Sequence, residues 1–213
     1  MSSIHAIGVI ATDLVRKETR QGVLTTFRFA SGLPGRGQLW IDVETWGHAA
    51  GVLNAHGRTG RGIALAGRIT QKAWRDRRTG QARSRLVITS EDFDFLDPAD
   101  KGQVDIPNHV MITGQLASNP QNDPTATSDA LGFAIATGKA GSKTGRLLLA
   151  AEAWGRTLDP AKGLRKGTHV AASGRLSYRT RPNPETGEKQ GQFYLSIYNL
   201  DIVQRLALTG ATT

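Results

Sequence analysis

The sequence contains no cysteine, which excludes disulfides and thiolate metal sites. Its five histidines are scattered and form no spaced metal motif. No apolar run approaches the roughly 20 residues needed to span a bilayer. The opening MSSIHAIGVIATDL lacks the basic start and cleavage pattern of a secretory signal, so a cytoplasmic location is expected. Phosphate-loop chemistry is also missing: GKAGSKTG (138–145) places Ser142 before Lys143, so Gly-Lys-Ser/Thr never occurs in order. Neither catalysis nor a cofactor is expected. Acidic residues are scarce beside basic ones, 18 against 27, giving a formal charge of +9 and a pI near 10.3. That surplus favours an anionic partner, with nucleic acid ahead of an anionic membrane surface.

Aromatic residues are only 6% of the chain, so their placement is informative. In QLWIDVETWG (38–47), an extended strand puts Ile41, Val43 and Thr45 on one face and Trp40, Asp42, Glu44 and Trp46 on the other. The first face reads as core. The second carries two large indoles beside carboxylates, an unlikely composition for an interior, and reads as a stacking platform for a partner.

The 213 residues allow one large domain or two of about 100 each. Internal similarity decides for two. ETWG (44–47) recurs as EAWG (152–155), AGRI (66–69) as SGRL (173–176), and Ile4, Ala6, Gly8 and Ile10 match Val110, Ile112, Gly114 and Leu116. Near-constant offsets of 106 to 108 positions imply colinear copies of one fold. The expected organisation is a first domain over 1–97, a linker over 98–106 inside the Pro-containing stretch DFDFLDPADKGQVDIP, a second domain over 107–206 and a short tail over 207–213.

Each copy reads as a short alternating strand (4–12 or 108–117), a turn-rich loop, and a second strand, VLTTFRFAS or ALGFAIAT. The tryptophan strand follows, then a helix-like segment (GHAAGVLNAHG or GRTLDPAKGLRKG) and a final strand pair, 63–74 with 84–90 in the first copy. The fold class is therefore all-β: two tandem five-stranded oligonucleotide-binding (OB) barrels, each with a short helix between strands three and four. GRLLLAAEAWG (145–155) has helix propensity, yet its counterpart GQLWIDVETWG alternates, so a strand is expected in both copies.

Between Arg58 and Arg85 lie Arg61, Arg68, Lys72, Arg75, Arg77, Arg78 and Arg83, with Asp76 the only carboxylate, and this run brackets Trp74. A basic hairpin with an aromatic inside it suits a polymer gripped by its phosphates and stacked by its unpaired bases. The candidate binding residues are Trp40, Trp46, Trp74, Arg68, Lys72, Arg75, Arg77 and Arg78 in the first copy. Trp154, Arg175, Arg179 and Arg181 are the candidates in the second. Asp42 and Glu44 should repel phosphate. Either Arg28 pairs with one of them across strands, or they accept hydrogen bonds from base amino groups; because Glu152 repeats Glu44, a shared structural partner is preferred. Tyr194 and Tyr198 share a strand face and read as packing or subunit contacts rather than stacking residues.

The order of these motifs resembles the bacterial single-stranded DNA-binding proteins, in the variant with two OB domains per chain. NHVMITGQLASNP is similar to that family's opening strand, LRKGTHVAASGRL (164–176) to its fourth strand, and the Trp40–Trp46 strand and AWRDRRTG to its tryptophan strand and hairpin. The resemblance covers about residues 2–97 and 107–206. It implies base stacking on Trp40, Trp46, Trp74 and Trp154, with Leu148 standing where Trp40 did, so the first domain should grip more tightly. Tyr178 is the candidate to replace a family aromatic absent from both strand two–three loops. The resemblance further implies single-stranded DNA as partner in replication, recombination or repair, and a homodimer supplying four OB domains, with β pairing of exposed strand edges across its two-fold axis. No membrane partner is expected. The family's acidic tip has no counterpart in DIVQRLALTGATT, so tail-dependent protein partners are not expected. An RNA-binding OB protein and a non-catalytic assembly module share these features and stand as alternatives.

Overall fold

The structure, a computed structural model, describes residues 1–32, 38–96, 108–122, 129–138, 147–182 and 189–203, without the side chains of 181, 182, 189 and 190. The expected linker and tail, the GKAGSKTG loop after Gly138 and the Arg181 side chain lie outside the described residues.

The first copy folds as β1 (Ser2–Ile10), β2 (Val15–Thr19), β3 (Gly22–Ser31), β4 (Leu39–Trp46), α1 (Gly47–His56), β5 (Gly62–Arg75) and β6 (Ala82–Leu96). The second repeats it as β7 (Asn108–Leu116), β8 (Gln121–Asn122), β9 (Ala130–Thr137), β10 (Leu147–Trp154), a 3-10 turn (Gly155–Thr157) with α2 (Leu158–Lys162), β11 (His169–Pro182) and β12 (Lys189–Ile202). The five barrel strands and intervening helix of each copy are as expected. LLLAAEAW is a strand, because its pairing with β9 along all eight residues overrides local helix propensity.

One addition, present in both copies as β2 and β8, was not expected. The turn-rich loop after β1 contains β2, which pairs with β3 from Val15↔Thr26 to Thr19↔Gly22. Its residues VRKET are exposed at every position, so no alternation of apolar and polar residues announces the strand.

Each barrel closes through a parallel pair, β4 with β6 or β10 with β12, and through a short antiparallel contact, β1 with β3 or β7 with β9. Phe27, Phe29, Ile41, Val43, Ile63 and Ile88 fill the first barrel, and Leu53 of α1 plugs it. Burying each such side chain contributes about 1.5–3 kcal/mol. The repeated Trp-Gly dipeptide now has a physical reason. Gly47 and Gly155 take φ of +62° and +57°, a left-handed conformation that turns the chain sharply from strand into helix and that an L side chain disfavours.

The twelve strands form one sheet of order β2-β3-β4-β6-β5-β1-β7-β11-β12-β10-β9-β8, which reads as the same series outward from its middle. At that middle β1 and β7 run antiparallel from Ser2↔Ile112 to Ala6↔Asn108. Ile4 faces Val110, its own counterpart in the repeat, so a local pseudo-two-fold axis passes through this pair. Beside the junction each domain braces its own central strand with an equivalent side chain. The Ser2 Oγ donates to the Ile69 carbonyl at 3.0 Å, and Asn108 bonds both the N–H and C=O of Leu176 at 2.7 and 3.0 Å. The edge pairing expected between two chains therefore joins the two domains of one chain, which removes two exposed strand edges.

Candidate nucleic-acid interface

Alternation along β4 buries Ile41, Val43 and Thr45 on one face and puts Trp40, Asp42, Glu44 and Trp46 on the other, where Glu44 is itself covered. Trp40 is 42% exposed, while Trp46, at the start of α1, is half-buried. On β5, Arg68, Lys72 and Trp74 share the same face, fixed by the ion pair from the Lys72 Nζ to Glu44 at 2.9 Å. Trp74 is 47% exposed. Strands two and three together with the hairpin between strands four and five form the customary ligand face of an OB barrel, and both exposed indoles lie on it.

The carboxylates on this face have structural partners. Arg28 stands directly opposite Asp42 across β3 and β4, but the Asp42 ion pair is made with Arg85, at 2.8 Å. Glu44, 7% exposed, meets Lys72, and its repeat Glu152, 8% exposed, meets the repeat of Lys72: Arg179 Nη1 and Nη2 donate to its two carboxylate oxygens at 2.7 and 2.9 Å. Burial of a carboxylate costs least when it is paired and hydrogen-bonded: Glu152 is both, whereas Glu44 is met by the Lys72 ion pair and its Oε2 makes no hydrogen bond among the described residues. Lys72 and Arg179 thus spend much of their charge inside the protein. Arg68 also meets a carboxylate, that of Glu91.

At the β5–β6 hairpin tip, Asp76 shapes the turn rather than opposing the ligand. Its Oδ1 accepts from the backbone N–H of Arg78 at 2.9 Å and of Thr79 at 3.0 Å. These bonds, that from Thr79 foremost, hold its carboxyl below the ordinary aspartate value. The turn projects Arg77 and Arg78 into solvent, where they make no ion pair among the described residues. Among the described residues Arg75 bonds only the Gly80 carbonyl, at 3.3 Å. The mobile cations of the site are therefore those of the hairpin tip.

In the second domain Trp154 is 47% exposed and Leu148, at the position of Trp40, is exposed too. Arg175 is half-buried on the face of Arg179. Tyr178 sits one residue from Arg179 and so points to the opposite side of β11, packed edge-on against Phe193 with centroids 5.0 Å apart. It does not join the Glu152 face of its own barrel. That reverse side approaches the other domain, as β11 contacts β4, and the Leu148 N–H donates to the Oε1 of Gln71, the Tyr178 counterpart, at 3.0 Å. Tyr194, read from the sequence as packing, lies under the Arg179 guanidinium with 3.9 Å from Cζ to the ring centroid. Among the described residues no group of three or more His, Cys, Asp or Glu is placed to hold a metal ion.

Residues 1–96 match a family model described as the single-strand binding protein family. The single-stranded DNA-binding protein of Helicobacter hepaticus is 31% identical over 99 residues, and the alignment covers 46% of this chain and 58% of that protein. Single-stranded DNA-binding protein 1 of Synechocystis sp. is 29% identical over 101 residues, 45% of this chain and 84% of that protein. The chain thus spans little more than half the length of the first of these relatives. The crystal structure of the single-stranded DNA binding protein from Thermus aquaticus superposes with a TM-score of 0.72 at 18% identity, over 96% of this chain and 94% of that one. The fold is shared over 96% of this chain, both barrels included.

Proposed function

We propose, from the membership of residues 1–96 in the single-strand binding protein family, that the chain is a non-catalytic protein that binds and protects single-stranded DNA without sequence preference. It would serve replication, recombination or repair in the cytoplasm. No helix among the described residues is long and apolar enough to cross a membrane. The observation that carries the reading is the pair of exposed indoles, Trp40 and Trp74, on one OB ligand face that continues into the arginine hairpin. An unpaired base offers a π face to each indole, worth about 1–3 kcal/mol per stacked base, while Arg75, Arg77, Arg78 and Arg83 meet phosphates. Duplex DNA hides those π faces. A labelled oligonucleotide should therefore be displaced by unlabelled single-stranded DNA well before duplex. Four phosphate contacts at a slope of about −0.7 each give log affinity against log salt a slope near −3 for one hairpin. A flat salt response or a preference for duplex contradicts the reading, and equal or better competition by RNA redirects it to that polymer.

The proposal includes a homodimer with four OB domains. Since β1 and β7 already pair with one another, a second copy is proposed to meet the outward face of the central strands rather than the open edges of β2 and β8. There Ile7 and Met111 are exposed beside the small residues Ala64, Ala66, Ala171 and Ser173. Face-to-face stacking would bury these apolar side chains about a true two-fold axis. Sedimentation at micromolar concentration should give twice the 22.9 kDa chain mass, and Met111→Glu should shift it towards one chain. A mass of one chain for the unsubstituted protein refutes the dimer.

A further inference from the structure

We propose that the second domain carries a stacking platform of its own, the guanidinium plane of Arg179 with the ring of Tyr194, and that a nucleobase of the bound strand seats in the groove they line. The inference rests on the single-strand reading above and adds a site to it. The groove, of about 270 Å³, lies on the ligand face of the second barrel, between the β9–β10 surface and the β11–β12 hairpin. Glu152, Arg179, Gln192 and Tyr194 line it together with Phe133 and Ala134.

Two features make the plane a platform rather than a phosphate contact. The Glu152 carboxylate grips both terminal nitrogens of Arg179, so the guanidinium is held flat in one orientation and its charge is matched inside the protein. Tyr194 lies beneath it at 3.9 Å, which locks the remaining rotation. A surface already ordered loses little entropy when a base arrives, and bases stack on guanidinium planes as they do on aromatic rings.

The equivalent groove of the first domain, of about 250 Å³, is built differently. Lys72 stands at the position of Arg179 and Val87 at that of Tyr194, while the Asp42–Arg85 ion pair lies across the wall where the second domain has Ala150 and Gln192. That wall is charged, and its guanidinium, that of Arg85, meets Asp42 through one nitrogen and lies over no aromatic ring among the described residues. The two barrels therefore hold bases at different places: the first on Trp40 and Trp74, the second, with Leu148 in place of Trp40, on Trp154 and in this groove.

The test exchanges the wall for the first domain's own residues, Tyr194→Val and Arg179→Lys, singly and together, in the full chain. Affinity for a dT oligonucleotide long enough to cover both domains should fall roughly fivefold to a hundredfold in the double variant. The slope of log affinity against log salt should stay unchanged, because no phosphate contact is lost. Independently of how the variants fold, an oligonucleotide carrying 5-iodouracil should photocrosslink to Tyr194 in the unsubstituted protein. Affinity within twofold of the parent, a slope shallower by about 0.7, or crosslinks that all map outside this groove overturn the proposal while single-strand binding stands. Absence of any single-strand binding by the unsubstituted protein overturns both.

Discussion

Replacing Trp40 and Trp74 together by alanine is expected to weaken single-stranded DNA binding by roughly 2–6 kcal/mol, about 30-fold to more than 10⁴-fold, with little change in thermal stability. Both indoles are more than two-fifths exposed, so the folded protein gains little from burying them. Neither belongs to the cluster of core side chains. Their value is realised only when a base covers them. Trp46→Ala should behave differently, since that ring is half-buried where β4 passes into α1, and its loss should lower stability as well as affinity. Titration of tryptophan fluorescence with oligonucleotide, next to thermal melts of the same samples, separates the two effects. A double variant that binds like the parent would remove these indoles from the interface.

Gly67→Ala and Gly174→Ala are each expected to cost about 2–4 kcal/mol of folding stability. These glycines are the repeated element of AGRI and SGRL, and the structure gives the repeat its reason. Both sit at a register shift in the strand-four to strand-five pairing, Ala66/Gly67 against β6 and Ser173/Gly174 against β12. A Cβ at Gly67 would lie 2.3 Å from the Thr89 carbonyl oxygen, and one at Gly174 would lie 1.9 Å from that of Ser196. The obstructing atoms are backbone in a paired strand, so no rotamer change relieves the overlap. For a chain of this size the melting temperature should drop by about 4–16 °C per substitution. Gly51→Ala is the internal control. It is in α1 with nothing within 4 Å of its Cβ position, and the same chemical change should stabilise by about 0.5–1 kcal/mol. Equal effects at positions 51, 67 and 174 would contradict the steric account.

The sequence by itself determined what is local or repeated. A period of two told which side of QLWIDVETWG faces the core, and the copy at 147–154 showed that LLLAAEAW is a strand despite its helical composition. The arginines around Trp74 marked the hairpin that carries mobile charge. Only the tertiary structure decided which distant groups meet. Lys72 reaches Glu44, and Arg179 reaches Glu152, because register and barrel closure bring together strands far apart in sequence, which no spacing along the chain encodes. Arg28 was the nearer guess for Asp42 from strand order, yet Arg85 takes it from the parallel neighbour β6. Tyr178 falls on the reverse side of β11 because one residue of shift along a strand exchanges its faces. The union of both barrels through β1 and β7 was likewise illegible. An edge strand presents the same backbone donors and acceptors to any partner, and only the folded position of the second domain makes that partner part of the same chain.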